Sequence, residues 1–406
     1  MADFIDIKKV CDRNSSISAT VIDDFILHYA VAKNNLAREF DLKIASYRHI
    51  TQETPASWVR MLKSQYIIHS VFKEDGLLRK YLNHAEIKRR PPGEQEFLKG
   101  QLATPWRFCF STIVDNPESD FYQMEDVFSG DSFLLYSKST TLTLTEQPAL
   151  IWFNLIAFNG VCWQTFGPVN AYQSFDQDDI FFFARALNPR IDSEEMLLGD
   201  VEKNPVPYML LLTGGRMPVT VNQKDELLIL RGEQEQESLD AGQLKDHFKV
   251  EYNKGVFRIS LKQWDEPPHL AAAYYDEEEK RLTVVSMTDR GFSALAKKMN
   301  EHGFSPAPEP QIRIHLSMLF TAEKILKKKL ARDPYENLFT PETSPQAKAE
   351  IERINHFLQS VMPLINAGKK PNIAALAKEA GVDASLAERI VADAIGRIEA
   401  MKKGKR

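Results

Sequence analysis

The hydrophobic pattern of the sequence changes abruptly at Pro91-Pro92-Gly93. Before this point, from residue 4 to about residue 93, apolar residues recur at steps of three and four, which is typical of amphipathic helices. From Trp106 onward the chain consists of short runs rich in aromatic and β-branched residues, which is typical of strands. Because two prolines and a glycine do not continue a helix, the helical region should close there. The pattern predicts an α+β protein with a helical N-terminal region.

The length and composition indicate a globular protein with several domains. With 406 residues the chain exceeds the roughly 250 to 300 residues at which single cores stop growing. Its 43% hydrophobic and 26% charged residues fit a folded protein and exclude a mainly disordered or collagen-like chain. We expect a helical region over residues 1–93, a β-rich body over 94–332, a linker over 333–346 and a three-helix module over 347–406. The body forms one domain, or two that divide near residues 203 and 204.

The strands of the body are predicted to be mostly antiparallel and to fall into two blocks. Hairpin turns are expected at Ser129-Gly130-Asp131 and at Asn253-Lys254-Gly255, because glycine adopts the backbone conformations that tight turns require. The predicted strands of the first block are Arg107–Val114, Tyr122–Phe128, Ser132–Ser137, Thr140–Thr145 and Leu150–Phe158. Those of the second block are Pro207–Thr213, Val219–Val221, Leu227–Arg231, Phe248–Tyr252, Val256–Ser260, Ala271–Tyr275 and Leu282–Ser286.

Accessory helices are expected between and after the two blocks. The first spans residues 175–187, where Asp176 is a suitable N-cap and the following acids suit the positive end of the helix dipole. Its Phe181-Phe182-Phe183 run predicts a helix wedged between layers. A second helix is expected over residues 289–301. A third, basic helix is expected over 322–332, with lysines that form a solvated face or meet phosphates.

The net charge of −5 argues against a surface built as a whole to hold nucleic acid or an anionic membrane. No signal-peptide run opens the sequence, and no stretch reaches the roughly 18 apolar residues of a membrane helix. We therefore expect a cytoplasmic protein without membrane contact. The three cysteines, Cys11, Cys109 and Cys162, are too few and too scattered for a disulfide framework. We expect them to be reduced and mostly buried.

The segment Asn372–Val391 resembles a bacterial helix-turn-helix. Asn372 can cap the first helix, Gly381 allows the positive φ that a three-residue turn requires, and Asp383 can cap the second helix. The resemblance covers about 20 of the 406 residues. It implies that the exposed start of the second helix reads base edges. The alternative is a three-helix packing module that uses this geometry only as a corner.

The resemblance places Ser385, Glu388 and Arg389 at the positions that face the bases. They offer one guanine-reading side chain and one carboxylate that repels phosphate. Residues 345–406 carry 11 basic and 7 acidic residues, a net charge of +4, so phosphate contacts should dominate. The partner is nucleic acid or another protein, and homodimerisation is left open. The basic residues expected to contact phosphate or the partner are Lys369, Lys370, Lys402, Lys403, Lys405 and Arg406.

Two segments of the body resemble uncharacterised bacterial proteins that often carry a SEC-C zinc motif. They are Glu125–Asp131 between strands and Tyr275–Asn300 as a hairpin followed by a helix. The chain has no cysteine after Cys162 and therefore lacks the motif itself. The resemblance concerns the fold and implies no activity.

The sequence carries no recognisable phosphate loop or zinc motif. Leu211–Pro218 contains two glycines after an apolar run, but neither a helix start nor a Walker lysine follows, so a hairpin turn is predicted. The nine histidines never occur at metal-ligand spacing, and His69 and His315 lie in apolar runs typical of core residues. Cys162 stands at a strand end but has no recognisable base.

Asp176, Asp178 and Asp179 form an acidic cluster that invites a chemical interpretation. They suit a hard cation or an acid–base pair, and they suit the start of a helix equally well. Neither a calcium-loop spacing nor a histidine nearby in the sequence supports the first interpretation. We therefore assign no metal, no cofactor and no catalytic residue from the sequence.

These observations favour a binding or regulatory protein without enzymatic activity, whose C-terminal module contacts nucleic acid or a protein partner. The alternative is a hydrolase-like enzyme whose polar groups converge from separate strands, which no motif search would detect. The sequence identifies no substrate.

Limited proteolysis tests the predicted linker. Residues 333–346 contain three prolines and lack a hydrophobic period, so cleavage should occur there first and release a helical C-terminal fragment. Mass spectrometry of the earliest fragments locates the cut. First cleavage between residues 106 and 290 would contradict the domain map.

Overall fold

The computed structural model describes residues 4–21, 28, 34–144, 151–214, 220–222, 224–239, 244–339 and 371–392, together with separate positions between 350 and 364. The chain divides into two compact units, unit 1 over Met1–Glu336 and unit 2 over Asn337–Arg406. The boundary falls within the segment where the sequence predicts a linker. The α+β class is confirmed, since helices lie at both ends of the described chain and two six-stranded sheets lie in its centre.

The N-terminal helices share a hydrophobic core with the strands that follow, and the predicted helical region over residues 1–93 lies within unit 1. The ring of Phe72 stacks on Trp106 at 4.1 Å, and Leu62 lies in the same buried cluster as Phe108 and Phe153. The apolar face of the helical region is completed by the sheet. The helices are α1 (Phe4–Val21), α2 (Leu36–Ala45), α3 (Arg48–Thr51), α4 (Ala56–Phe72), α5 (Leu78–Leu82), α6 (Ala85–Lys88) and α7 (Pro92–Gly100).

The sequence predicts that the helical region closes at the double proline, but Pro92 instead begins α7. Proline is tolerated in the first turn of a helix, because the N–H that it lacks has no intrahelical partner there. The double proline therefore starts a helix, and the preceding helix α6 has already ended at Lys88.

Sheet 1 wraps into a closed cycle of strand pairings. Strand β1 pairs with both β2 and β4, and β2–β3, β3–β5 and β5–β4 complete the cycle; all pairs are antiparallel except β3–β5. Alternate side chains of β1 face opposite sides: Cys109 joins an inner cluster, whereas Phe108 and Phe110 join the helical core. The strands are β1 (Arg107–Glu118), β2 (Phe121–Asp126), β3 (Ser132–Tyr136), β4 (Ile151–Phe158), β5 (Trp163–Thr165) and β6 (Ala171–Tyr172).

Seven helices follow in the rest of unit 1 and at its boundary with unit 2, among the residues that the structure describes. They are α8 (Lys138–Leu144), α9 (Gln177–Leu187), α10 (Glu194–Lys203), α11 (Pro205–Leu210), α12 (Asp289–Glu301), α13 (Leu316–Leu326) and α14 (Glu336–Phe339). The predicted helix over residues 289–301 is confirmed by α12. The predicted cap of α9 is also confirmed, because the Asp176 side chain accepts from the Asp179 N–H.

Sheet 2 is antiparallel throughout, with the order β10-β11-β12-β13-β9-β14. Helix α12 covers one face with Phe292, Leu295 and Met299. The predicted turn between β10 and β11 is present, with positive φ at Lys254 and Gly255. The strands are β7 (Val221–Asn222) and β8 (Asp225–Glu226), which pair separately, then β9 (Leu228–Glu235), β10 (Lys249–Asn253), β11 (Val256–Ser260), β12 (Ala272–Asp276), β13 (Arg281–Ser286) and β14 (Ile312–His315).

Two predicted strands are helices. Thr140–Thr145 alternates like a strand, but α8 begins after Ser137, whose Oγ accepts from the Thr140 N–H (3.2 Å). Pro207–Thr213 belongs to α11 and a 3₁₀ turn, Leu211–Thr213, that are buried nearly throughout. A short continuous apolar run fits a buried helix as well as a buried strand, so the sequence could not separate the two.

The predicted hairpin at Leu211–Pro218 is wrong on its first side, because a 3₁₀ turn precedes Gly214. A Cβ atom built on Gly214 would lie 1.9 Å from Thr321 Oγ1, so this glycine permits close approach to α13. Residues 215–218 lie outside the described residues.

The predicted basic helix over residues 322–332 is displaced. Helix α13 ends at Leu326, because Lys327 adopts the left-handed conformation with φ 54°. The Lys328 side chain then donates to the Ala186 carbonyl oxygen (2.6 Å). The lysine run therefore lies mainly beyond the helix.

The first residues of the predicted linker pack against sheet 2. Asp333 is only 9% exposed and accepts from the Tyr274 hydroxyl (3.4 Å). Tyr335 donates from its hydroxyl to Asp276 Oδ2 (3.2 Å). Residues 333–336 thus belong structurally to unit 1, because they cover part of a sheet face.

Unit 2 contains a pair of helices joined by a tight turn, α15 (Ile373–Ala380) and α16 (384–392). Asn372 Oδ1 accepts from the Ala375 N–H (3.1 Å), Gly381 has φ 67°, and Asp383 Oδ1 accepts from the Leu386 N–H (3.0 Å). The local capping and turn features predicted from the sequence are therefore present. The buried core of the unit comprises Phe357, Val361, Ala377, Ala380, Ala387 and Val391.

Of the helices in the described part of the chain, none is both long and apolar enough to cross a membrane.

Candidate functional site

A group of titratable side chains comes together where α9 meets β14. Helix α9 begins with a reciprocal capping box: Asp176 Oδ1 accepts from the Asp179 N–H (3.1 Å), and Asp179 Oδ2 accepts from the Asp176 N–H (2.9 Å). These two acids therefore have the helix-start role that the sequence indicates. They also have a second role, which comes from another part of the chain.

Strand β14 is an edge strand of sheet 2 and pairs with β9 along one side. The N–H of Arg313 donates to Asp178 Oδ2 (2.9 Å), and the N–H of His315 donates to Asp179 Oδ1 (2.8 Å). Residues two apart in a strand direct their N–H groups to the same side, so the two carboxylates satisfy one free edge. The start of α9 thus takes the place of a further strand.

The imidazole of His315 lies among three carboxylates. Its Nδ1 is 2.6 Å from Asp179 Oδ2 and 3.8 Å from Asp176 Oδ2, while its Nε2 is 3.3 Å from Glu226 Oε1. The Asp179 side chain is fully buried, whereas Glu226 is partly exposed. We name this group, Asp176, Asp179, Glu226 and His315, the carboxylate–histidine cluster.

Burial and pairing shift the protonation of the central pair. The pKa of His315 is raised above its usual value, chiefly because Asp179 accepts its Nδ1 proton, although burial opposes this. Burial raises the pKa of Asp179 to about 6, and the hydrogen bond from His315 partly offsets the increase. Both shifts mean that the folded protein holds protons here more tightly than the unfolded chain does.

The donor set of the cluster also suits a cation. Asp176, Asp179 and His315 each offer one ligand atom, and these atoms all lie within 4.8 Å of one another. One imidazole nitrogen and two carboxylate oxygens suit a divalent transition metal. Glu226 lies on the opposite ring nitrogen and is not part of this set.

The sequence predicted the acids at the helix start but missed their histidine. His315 is 136 residues from Asp179, and its short strand carries no metal-ligand or catalytic spacing. The apolar run around His315 predicts a core residue, and the structure shows it mostly buried, with polar partners on both ring nitrogens. Only the docking of β14 on α9 reveals the cluster.

The prediction that His69 is a satisfied core residue is confirmed. His69 is 1% exposed, and its Nε2 is 2.6 Å from Glu202 Oε2. The other oxygen of Glu202 accepts from the Phe108 N–H (2.7 Å), so this carboxylate joins α10 to α4 and β1.

A cavity of about 740 Å³ opens near this carboxylate. Its lining includes the aromatic rings of Phe158 and Trp163, and the Arg107 guanidinium lies 5.2 Å from the Trp163 ring centre. The volume suits a small molecule. Glu202 is already occupied by its two hydrogen bonds, and Arg107 pairs with Asp126 (3.2 Å), so the lining offers no free acid–base pair at these residues.

The predicted contact residues of unit 2 fall into two groups. Ser385, Glu388 and Arg389 are exposed on α16, whereas Ala387 and Val391 of the same helix are buried. The other six predicted contact residues, Lys369, Lys370, Lys402, Lys403, Lys405 and Arg406, lie outside the described residues.

Comparisons with known proteins found no match: no protein-family model, no curated protein and no solved structure is similar to this chain.

Substitution of Asp179 by asparagine tests the charge of the cluster. The pKa of His315 is higher in the folded protein than in the unfolded chain, so the protonated imidazole stabilises the fold. This contribution is complete at a pH below the unfolded-state pKa and is lost as pH rises through the folded-state pKa. Wild-type stability should therefore fall as pH rises above about 6.5. Asp179→Asn should lower the free energy of unfolding by about 3 kcal/mol near that pH and by less at higher pH. The free energy of unfolding should also depend less on pH in this variant than in wild type.

Tryptophan fluorescence in a urea titration measures this effect in unit 1, because all five tryptophans lie there. Asp289→Asn is the matched control, since it removes an exposed partner of Arg313 (2.7 Å) and should change stability by no more than about 0.5 kcal/mol. A pH profile of Asp179→Asn parallel to that of wild type would show that the cluster carries no shifted proton.

Proposed function

We propose that the protein is a binding protein without enzymatic activity, whose unit 2 contacts nucleic acid through the phosphate backbone. The observation that carries the proposal is the exposed start of α16. Ser385, Glu388 and Arg389 lie on its solvent side, and Ala387 and Val391 anchor its other side in the core. A helix held in this way presents its first turns to a partner.

The side chains on this surface favour phosphate over bases. Arg389 is the only strong hydrogen-bond donor among the three, and Glu388 next to it repels phosphate and offers an acceptor only to cytosine. Such a surface distinguishes sequences poorly. Contacts from basic residues to the backbone would then supply most of the affinity.

The charge distribution supports the same interpretation. Residues 345–406 carry a net charge of +4, while the rest of the chain carries −9. A polyanion would be attracted to the C-terminal segment and repelled by the remainder. A protein partner with an acidic surface is the other occupant that this charge would attract, and the experiment below separates the two.

The salt dependence of binding tests the proposal. If contacts go mainly to phosphate, affinity for duplex DNA should fall steeply with salt and vary little with base sequence. Replacing Lys402, Lys403, Lys405 and Arg406 together by alanine should reduce the logarithmic salt slope by about 3 to 4, at roughly 0.9 per lost contact. Fluorescence anisotropy with labelled duplexes measures both quantities.

The fold of unit 2 is tested by Gly381→Val. A β-branched residue at φ 67° strains the turn between α15 and α16, so this variant should lose any contact that needs the folded surface. Lys8→Ala is the matched control, because it removes one charge from unit 1 and should leave the salt slope unchanged. Absence of binding to both duplex DNA and RNA at about 50 mM salt would exclude nucleic acid and leave a protein partner.

The carboxylate–histidine cluster favours a second candidate function, a metal-dependent hydrolase-like activity in unit 1. Its specific support is the convergence of Asp176, Asp179 and His315 within 4.8 Å. A bound divalent cation would supply Lewis-acid chemistry or an activated water. The residues of the cluster would hold the cation, and Glu226 would orient His315 through Nε2.

Zinc titration tests this second function. A metal must displace the proton from His315 Nδ1, so zinc affinity should rise between about pH 6 and pH 8. Asp179→Asn and His315→Gln should each weaken zinc binding by at least tenfold, whereas Glu226→Gln should weaken it less, because Glu226 contacts the other ring nitrogen. Isothermal titration calorimetry measures the affinities. Equal zinc binding by wild type and both ligand variants would exclude the cluster as the metal site.

A further inference from the structure

Two cysteines that lie 151 residues apart in the sequence meet beneath the N-terminal helix. The Sγ atoms of Cys11 in α1 and Cys162 in the turn after β4 are 3.3 Å apart, and both thiols are free. The two cysteines come together because α1 packs on the outside of sheet 1. Sulfurs at this distance need to approach by only about 1 Å to form a disulfide.

Hydrogen bonds around α1 fix the position of the pair. Gln164 donates from Nε2 to the Cys11 carbonyl oxygen (2.8 Å), and the Tyr136 hydroxyl donates to Asp12 Oδ1 (2.5 Å). Cys11 and Cys162 also share a buried apolar cluster with Tyr136. The helix cannot carry Cys11 away from Cys162 without breaking these contacts.

The surroundings distinguish the two sulfurs. Asn159 Nδ2 lies 3.2 Å from Cys11 Sγ and 3.8 Å from Cys162 Sγ, so its shorter hydrogen bond goes to Cys11. The hydrogen bond from Cys162 lowers the pKa of Cys11, although burial opposes this. The same bond, together with burial, raises the pKa of Cys162. The shorter hydrogen bond from Asn159 and the lowered pKa both favour Cys11 as the thiolate, with Cys162 as the thiol that donates to it.

The pair lies next to an exposed turn. Gly160 and Val161 are exposed, with Val161 at 46%, and Cys162 follows directly. Asn159 Oδ1 accepts from the N–H groups of Val161 and Cys162 (3.0 Å each), which holds the turn in shape. Cys162 thus directly follows solvent-exposed chain, and Cys11, which is itself fully buried, lies 3.3 Å beyond it. A small oxidant that enters at this turn has little protein to cross.

The geometry points to Cys11 and Cys162 as a redox-active dithiol that a hydroperoxide oxidises to an intramolecular disulfide. The Cys11 thiolate attacks a peroxide oxygen, the O–O bond breaks, and the leaving oxygen takes up a proton, so that Cys11 becomes a sulfenic acid. The Cys162 sulfur then attacks Cys11 Sγ, the S–O bond breaks, and hydroxide leaves as water with the Cys162 proton. The two thiols together lose two electrons, which reduce the peroxide.

Cys109 provides a comparison within the same chain. Like Cys11 and Cys162 it is buried, but its thiol donates to Asp126 Oδ2 (3.3 Å) rather than to another sulfur. Burial and the nearby carboxylate raise the pKa of Cys109. A peroxide that reacted with any thiol would consume Cys109 as well, whereas the proposed dithiol spares it.

The experiment counts thiols in the reduced full-length protein after treatment with a roughly tenfold excess of hydrogen peroxide. Alkylation under denaturing conditions should show a decrease from three free thiols to one. The intact mass should fall by about 2 Da, and a peptide containing Cys11 linked to Cys162 should appear in the digest. Dithiothreitol should restore all three thiols. The oxidised protein should melt several degrees higher, because α1 is then tied to sheet 1.

Variants separate the dithiol from general oxidation. Cys109→Ser should still lose two thiols, whereas Cys11→Ser and Cys162→Ala should form no intramolecular disulfide. Asn159→Asp keeps the Oδ1 that holds the turn but removes the donor to Cys11, so its oxidation should be several-fold slower at unchanged final yield. Asn159 is a positioning residue in this scheme.

Wild-type protein alone can overturn the proposal, whether or not the variants fold. Retention of three thiols after treatment would do so, as would loss of Cys109 at the same rate as Cys11. Oxidation that ends in sulfinic acid or in disulfides between two chains would equally contradict it. None of these outcomes depends on unit 2 or on the carboxylate–histidine cluster.

Discussion

The architecture of unit 1 depends on the way the free edge of β14 is satisfied. An edge strand presents unpaired N–H groups, and proteins must cover them or pair them. Here the carboxylates of Asp178 and Asp179 accept from the N–H groups of Arg313 and His315, at 2.9 and 2.8 Å. The acids begin the helix that follows sheet 1, and the strand belongs to sheet 2. One set of hydrogen bonds thus joins the two β regions and lets Ile314 enter the main core.

The contact between α9 and β14 also places several charged side chains in a largely buried site. Asp179 is fully buried, and its negative charge is compensated by the His315 imidazole at 2.6 Å. A buried ion pair adds little net stability over apolar residues, but removal of one partner is costly.

Three regions of the chain carry the functions that we propose. The carboxylate–histidine cluster would bind a cation, and the Cys11–Cys162 pair would be oxidised to a disulfide. The exposed face of α16 would contact a partner. The first two lie in unit 1 and the third lies in unit 2. Both sites in unit 1 follow from long-range packing, which brings together groups that are 136 and 151 residues apart.

The sequence alone determined those features that are encoded within a few residues. It predicted the α+β class, most strands of both sheets, the Asp176 cap, the turn at Gly255 and the capping of α15 by Asn372, because each depends on local periodicity or on a single side chain bonding to its own backbone neighbours. It failed where one local pattern fits two structures. The apolar run at Pro207–Thr213 forms a helix and a 3₁₀ turn, because it is buried nearly throughout. The alternating run that starts at Thr140 is helical as far as Leu144, because Ser137 caps the helix.

The tertiary structure decided everything that joins distant segments. The helical N-terminal region is part of unit 1, because Phe72 and Trp106 pack in one core. The prolines near residue 92 carry no information about this long-range contact. The histidine of the cluster and the partner of Cys11 were likewise invisible, because each is brought into place by the docking of one element on another. Local sequence fixes backbone conformation through short-range sterics and hydrogen bonds, whereas a site of this kind depends on which apolar faces complete one another across the chain.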